Sequence, residues 1–306
     1  MRESFFEPIE RLWRRPDFRR SPFRALGRRV LWRARWACRS EPWCLRVPSG
    51  GTILVPKGGA GALIYYLGNS EPETFQFLVR FLRRGMVFWD VGAHIGEFSL
   101  LASQQVGETG KVDAFEPHPR LGDLIYRTIA ANRLANVKVH SMAVTDQSGA
   151  VQFLLDPEPS TSHIWTSADQ ANTPVIDVPT VPLDDFHFSC DYSPNLIKVD
   201  VEGAEKLVLQ GSQSLLQLSP EAAPVWIMEF APANCVRYHY HPQELLDEFV
   251  CHGYRNFWIT PSGLADVQPG KAPAKDCLNF VSTKNEVQFQ DWFAQPLDTH
   301  TTSGNA

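Results

Sequence analysis

The chain has 306 residues, 43% of them hydrophobic, and a formal net charge of −5, enough for one large domain with its own core plus an appendage. No run approaches eighteen consecutive apolar residues, and arginines interrupt the first thirty residues too often for a secretory leader, so a cytoplasmic protein is expected. Cys38, Cys44, Cys190, Cys235, Cys251 and Cys277 include no C-x-x-C pair, which argues against a zinc site or a disulfide framework.

Charge divides the chain. Residues 1–40 hold twelve arginines against Glu3, Glu7, Glu10 and Asp17, a balance of +8 that leaves −13 on the remaining 266 residues. Residues 1–46 therefore read as an arginine-rich helical extension, 47–290 as the main domain, and 291–306 as a polar, disordered tail. Ser21 and Pro22 suit an N-cap and a first helical position, so a helix is expected from there. On its wheel Phe23, Leu26, Val30, Ala34 and Ala37 share one face and Arg24, Arg28, Arg35 and Arg39 lie roughly opposite, with Trp32 and Trp36 between arginines. Two roles suit such a helix: peripheral contact of residues 21–40 with an anionic membrane or acidic partner, or packing of its apolar stripe on the main domain. No nucleic-acid partner is expected, because the rest of the chain is acidic.

Downstream, β-branched and aromatic runs predict strands at 86–91, 111–116, 137–142, 195–201, 224–230, 254–260 and 277–283, and amphipathic spacing predicts helices at 97–106, 119–135, 203–218 and 241–252. This alternation specifies an α/β fold: a doubly wound, mostly parallel sheet of about seven strands. Ligands of such sheets sit beyond the carboxyl ends of the strands, at the point where the strand order reverses.

The stretch "VFWDVGAHIGEFSL" falls at that point. Asp90 ends the first strand, Gly92 permits a tight reversal, and Gly96 lets the next helix approach while its first amides face the ligand. A dinucleotide turn would carry a second glycine where His94 stands, and its third glycine would fall one residue beyond Gly96, so a pyrophosphate fits poorly. Glu116, twenty residues after Gly96, is placed to accept both hydroxyls of a ribose. A ribose without a diphosphate suits S-adenosylmethionine (SAM), whose ammonium Asp90 would attract and whose carboxylate the turn amides would hold.

With "VDAFEPHP", "AVTDQSGAVQF", "VPTVPLDDF" and "NLIKVDVEGAEKLVLQGS" following in this order, the chain resembles the FkbM-type SAM-dependent methyltransferases of the class I Rossmann-like fold over roughly residues 74–260. His94 departs from the asparagine often found there. The resemblance implies methyl transfer from SAM, most often to a hydroxyl of a sugar or other secondary metabolite, and places adenine near Ala143.

In "IKVDVEGAE" the strand period sets Lys198, Asp200 and Glu202 on one side of a strand end. Asp200 is the first candidate for acceptor contact or general base, its alternative being an ion pair with Lys198; Glu202 is a further candidate, or a cap of the following helix. The long polar segment 156–176 suits a lid, in which His163 is a third candidate base or a solvated loop histidine. Glu229 either lines the acceptor pocket or is an edge charge. His239 and His241 lack a third ligand nearby, and no metal is assigned. Two other readings stay open: a SAM-fold scaffold recruited to a surface, and a nicotinamide-dependent oxidoreductase, which His94 and the turn spacing disfavour.

Overall fold

In the computed structural model, residues 16–156, 159–167, 169, 173–268, 278–286 and 289 are described. The tail at 291–306 and the first part of the extension, 1–15, lie outside the described residues.

Two helices come first, α1 (Pro16–Arg20) and α2 (Pro22–Cys38), then an antiparallel hairpin of β1 (Trp43–Arg46) and β2 (Thr52–Val55). Proline opens α2 at a position where its missing N–H costs nothing. Next come α3 (Gly59–Leu67), α4 (Pro72–Phe81), β3 (Val87–Val91), α5 (Glu97–Val106), β4 (Lys111–Phe115), α6 (Pro119–Asn132) and β5 (Val137–His140). A side sheet then interrupts the alternation, built from β6 (Ala143–Val144), β7 (Gly149–Leu154), β8 (His163–Ile164) and β9 (Val175–Val181). The remainder is α7 (Leu183–Ser189), β10 (Leu196–Val199), α8 (Glu205–Gln210), α9 (Gln213–Leu216), β11 (Val225–Phe230), α10 (Pro232–Cys235), α11 (Gln243–Cys251), β12 (Arg255–Thr260), β13 (Gly263–Asp266) and β14 (Leu278–Thr283).

The main sheet runs β13-β12-β14-β11-β10-β3-β4-β5. Strands β5, β4, β3, β10 and β11 are mutually parallel, whereas β14 is antiparallel to both its neighbours, β11 and β12. The seven predicted strands are all present, with β13 an added edge strand paired to β12. From β3 the chain proceeds outward through β4 and β5, then returns to β10 on the other flank, so the order reverses between β3 and β10.

Strand period 2 sorts the core. Trp89, Ile197, Val199, Trp226 and Met228 pack on one face with residues of α7, α8 and α11, while Phe88, Leu196, Val225 and Ile227 pack on the other with α4 and α5. Asp90, Lys198 and Asp200 share parity with Phe88 and Leu196 and so turn toward α4 and α5. The helix expected over 203–218 is broken at Gly211, where a Cβ would strike the Thr145 carbonyl oxygen and Pro182.

The expected helix of the extension is present, but its contact face differs from the wheel reading. Ala25, Trp32 and Trp36 face inward, the tryptophans joining Ile53, Leu54, Ile64 and Tyr65 in one cluster, while Phe23, Leu26, Val30, Ala34 and Ala37 face outward. The reason lies in the arginines: Arg28 stacks over Tyr65, Arg29 over Phe18 and Tyr66, and Arg35 over Trp36, so their stems and π contacts make the arginine side the packing side. The boundary expected after residue 46 falls between the two strands of the β1–β2 hairpin.

Candidate active site

A cavity of about 360 Å³ opens at the switch point, lined from the turn after β3, the ends of β4 and β10, the side sheet and α3. Gly92, His94 and Gly96 adopt φ of 80°, 54° and 79°, the left-handed region that glycine tolerates and histidine enters only at a cost. At Gly92 the need is steric as well, because a Cβ there would collide with the carbonyl oxygen of Asp200.

Glu116 fastens this turn. Its Oε2 accepts from the His94 amide at 2.7 Å and its Oε1 from the His118 amide at 2.8 Å. Burial pushes its carboxyl up to about 8, and burial holds the His94 imidazole down at about 4, hence neutral. The turn amides expected to hold a ligand carboxylate are already engaged: Gly92 and Ala93 donate to Phe115 O, His94 to Glu116 and Gly96 to Ala93 O. The first turn of α5, whose Glu97 and Phe98 line the cavity, has no side-chain cap.

Asp90 is fully buried, does not line the cavity, and accepts from Ser99 Oγ at 2.5 Å, while its Oδ1 has no hydrogen-bond partner among the described residues. Burial raises its pKa, and Lys198 opposes that rise. The expectation that Asp90 attracts a ligand ammonium is therefore corrected: its side chain faces the buried Lys198. The carboxylate that does reach the cavity from this region is Glu97, which accepts from the Ser70 amide at 3.0 Å and is raised by burial to about 7. Nothing in its spacing marked it, because it reads as an ordinary first-turn helix acid.

Lys198 Nζ donates to Asp200 Oδ2 at 2.8 Å. Burial works against its charge, but Asp200, Glu71 and Asp90 together hold it protonated, above the ordinary lysine range. Asp200 thus lines the cavity as half of an ion pair. Glu202, also lining it, has φ of 55° and accepts from Asn234 Nδ2 at 2.9 Å; burial first, then repulsion from Asp200 and Glu205, lifts its carboxyl to about 8. Glu202 does not cap the following helix, whose N-cap position is Ala204 and which has no side-chain cap; Glu205 instead ties down the loop before it, its Oε1 accepting from the Val201 and Gly203 amides at 3.1 Å each. Glu229 lines the cavity beside Asn234.

Ala143 on β6 lines the cavity with Phe115 and Met142. His163 does not: it is 5% exposed, and its ring nitrogens meet Thr161 O at 2.7 Å and Asp169 Oδ1 at 3.0 Å. It pins the segment whose Pro159, Ser162 and Ile164 do reach the cavity.

The model of the methyltransferase FkbM domain matches residues 90–255, a span that begins at Asp90 and takes in the turn, Glu116 and the end of β10. The chain belongs to the FkbM methyltransferase family. Among its relatives, the hexuronic acid methyltransferase AglP of Haloferax volcanii is 28% identical over 151 residues, 49% of this chain and 59% of that protein. The 31-O-demethyl-FK506 methyltransferase FkbM of Streptomyces tacrolimicus is 33% identical over 118 residues, 37% of this chain and 43% of its own length. The matched stretch thus spans about half of either relative. The crystal structure of the methyltransferase FkbM of Methylobacillus flagellatus KT overlaps 73% of this chain and 52% of that one, with a TM-score of 0.43 and 15% identity.

Proposed function

We propose that this FkbM-family protein uses SAM to methylate a hydroxyl of a sugar or other small metabolite. The reading rests on one observation: the glycine turn, Glu116 and the two acidic residues at the end of β10, Asp200 and Glu202, all line a single cavity. The O-demethyl substrate named for one relative favours a hydroxyl, and the hexuronic acid named for the other favours a sugar-like acceptor.

The residues present fit SAM. Glu116 would hold the ribose hydroxyls with the lone pairs its two amide contacts leave open, Phe115, Met142 and Ala143 would give the base an apolar bed, and Glu97 and the uncapped first turn of α5 would offer opposite partners to an ammonium and a carboxylate. When bound, SAM supplies an electrophilic methyl group on a sulfonium. The chain's share is position and proton transfer. Asp200, held by Lys198, accepts a hydrogen bond from the acceptor and orients it. Glu202 takes the hydroxyl proton, because burial and its acidic neighbours disfavour its charge and favour its protonated form.

Calorimetry with SAM, its demethylated product and NAD, followed by methyl transfer to hexuronic acids and to hydroxylated macrolides, tests the reading. SAM binding and transfer to oxygen are expected. NAD binding without SAM binding, or transfer only to nitrogen, would overturn it.

A further inference from the structure

Helix α2 carries its amphipathic character outside in. At 3.6 residues per turn, Phe23, Leu26, Val30, Leu31, Ala34 and Ala37 fall on one arc of about 140°. All six are exposed, Phe23 to 87%, Leu26 to 54%, Val30 to 61% and Leu31 to 54%. Arg24 and Arg33 border this arc on its two sides, both exposed and without an acidic partner among the described residues. The helix holds five arginines and no acidic residue. The other three arginines are committed inward, to Tyr65, to Asp17 and Tyr66, and to Trp36.

We infer that α2 docks the protein on an anionic lipid surface, with its apolar arc inserted at the headgroup level and Arg24 and Arg33 on lipid phosphates. Charge selects this occupant. A second copy laid on the same face would set arginine borders against arginine borders with no acidic residue in the helix to neutralise them. An acidic protein would find the charge only at the edges of the arc, whose centre is a convex stripe of side chains with no polar group, the layout of a helix lying in a bilayer interface. Trp32 and Trp36 fix the helix axis to the domain, so the arc is presented rigidly, and α3, against which Tyr65 and Tyr66 receive α2, also supplies Gly59, Ala60 and Leu63 to the cavity wall.

The test is co-sedimentation of the full chain with vesicles of phosphatidylcholine alone or mixed with about one-third phosphatidylglycerol. Binding is expected only to the anionic vesicles and should weaken as ionic strength rises from about 0.1 M to about 0.5 M. The double variant Leu26→Glu/Val30→Glu should lose at least about tenfold in partitioning, and Arg24→Glu or Arg33→Glu at least about fivefold each. All three variants change exposed residues and should keep the parent melting temperature and SAM affinity. No binding by the folded full chain, equal binding to both vesicle types, or a dimer in solution that Val30→Glu dissolves would each overturn the inference.

Discussion

At the residue scale the acidic groups of the cavity divide the work by environment. A carboxyl lifted to about 8 acts as a base only when ionised, so methyl transfer that depends on Glu202 should rise with pH from about 7 and level off above that value. Glu202→Gln is expected to cut kcat by about 10² to 10⁴ and to flatten the pH profile over this range. Asp200→Asn should instead raise KM for the acceptor, leave the profile's shape intact, and lose stability because Lys198 keeps its charge without its partner. Stopped-time assays between pH 6 and 9.5 separate the two, and a profile unchanged in Glu202→Gln would return the base to Asp200. Glu116→Ala does double damage: ribose contacts vanish, and the His94 and His118 amides lose their acceptor, about 1–3 kcal/mol for each amide left buried. SAM affinity at least about tenfold weaker together with a lower melting temperature is the expected signature, read by calorimetry and thermal unfolding.

Among elements, the closest coupling is between the turn after β3 and the end of β10. Gly92→Ala would drive a Cβ into the Asp200 carbonyl at a φ of 80°, a loss of about 3 kcal/mol or more, and SAM binding should fall with it. A crystal structure or melting curve of Gly92→Ala that matched the parent would contradict that account. The seven strands β3, β4, β5, β10, β11, β12 and β14 and the helix α5 are legible in the sequence because each is a hydrophobic run or a clear amphipathic period, most of them bounded by glycine or proline. The side sheet is not: β6 and β8 are two residues long, and β7 and β9 sit in segments whose alternation is diluted by Asp177, Pro179 and exposed alanine and glycine. The glycine turn, Glu116, Asp200 and Glu202 can be picked out because motif spacing marks them. Glu97 and Glu71 cannot, since their positions depend on which distant chain they meet. His163 misleads because a histidine in a polar loop suggests proton chemistry, while its burial depends on the folded chain around it. In α2 the wheel separates the two faces correctly yet cannot tell which is inward, as arginine stacked on aromatic rings competes with aliphatic packing.

For the whole molecule, the buried acids impose a pH dependence on the unliganded protein. Burial lifts Glu97, Glu116 and Glu202 to about 7, 8 and 8 in the folded chain, well above the ordinary carboxylate range, so the folded chain binds more protons over that interval and stability falls as pH rises through it. Below about 6.5 the depressed His94 and His118 oppose this trend, since burial makes each bind its proton less readily in the folded chain than in the unfolded one. A loss on the order of 1–2 kcal/mol per acid between pH 6.5 and 8.5 is expected, and it should shrink in Glu202→Gln; denaturant titrations at the two pH values measure it. The extension belongs to the same cooperative unit: Trp32→Ala should cost about 3–5 kcal/mol, as it uncovers Ile53 and Tyr65, and a melting curve unmoved by it would mean that α2 is an independent appendage. The antiparallel β14 carries one more consequence, for biogenesis. It is the last strand among the described residues yet an interior member of the sheet, wedged between β11 and β12. During synthesis the domain must therefore wait with that slot open, and a polypeptide stopped before Leu278 would display two bare strand edges, β11 and β12, offering a template for pairing between molecules. Truncation by a few dozen residues should yield aggregate, not a weakened enzyme.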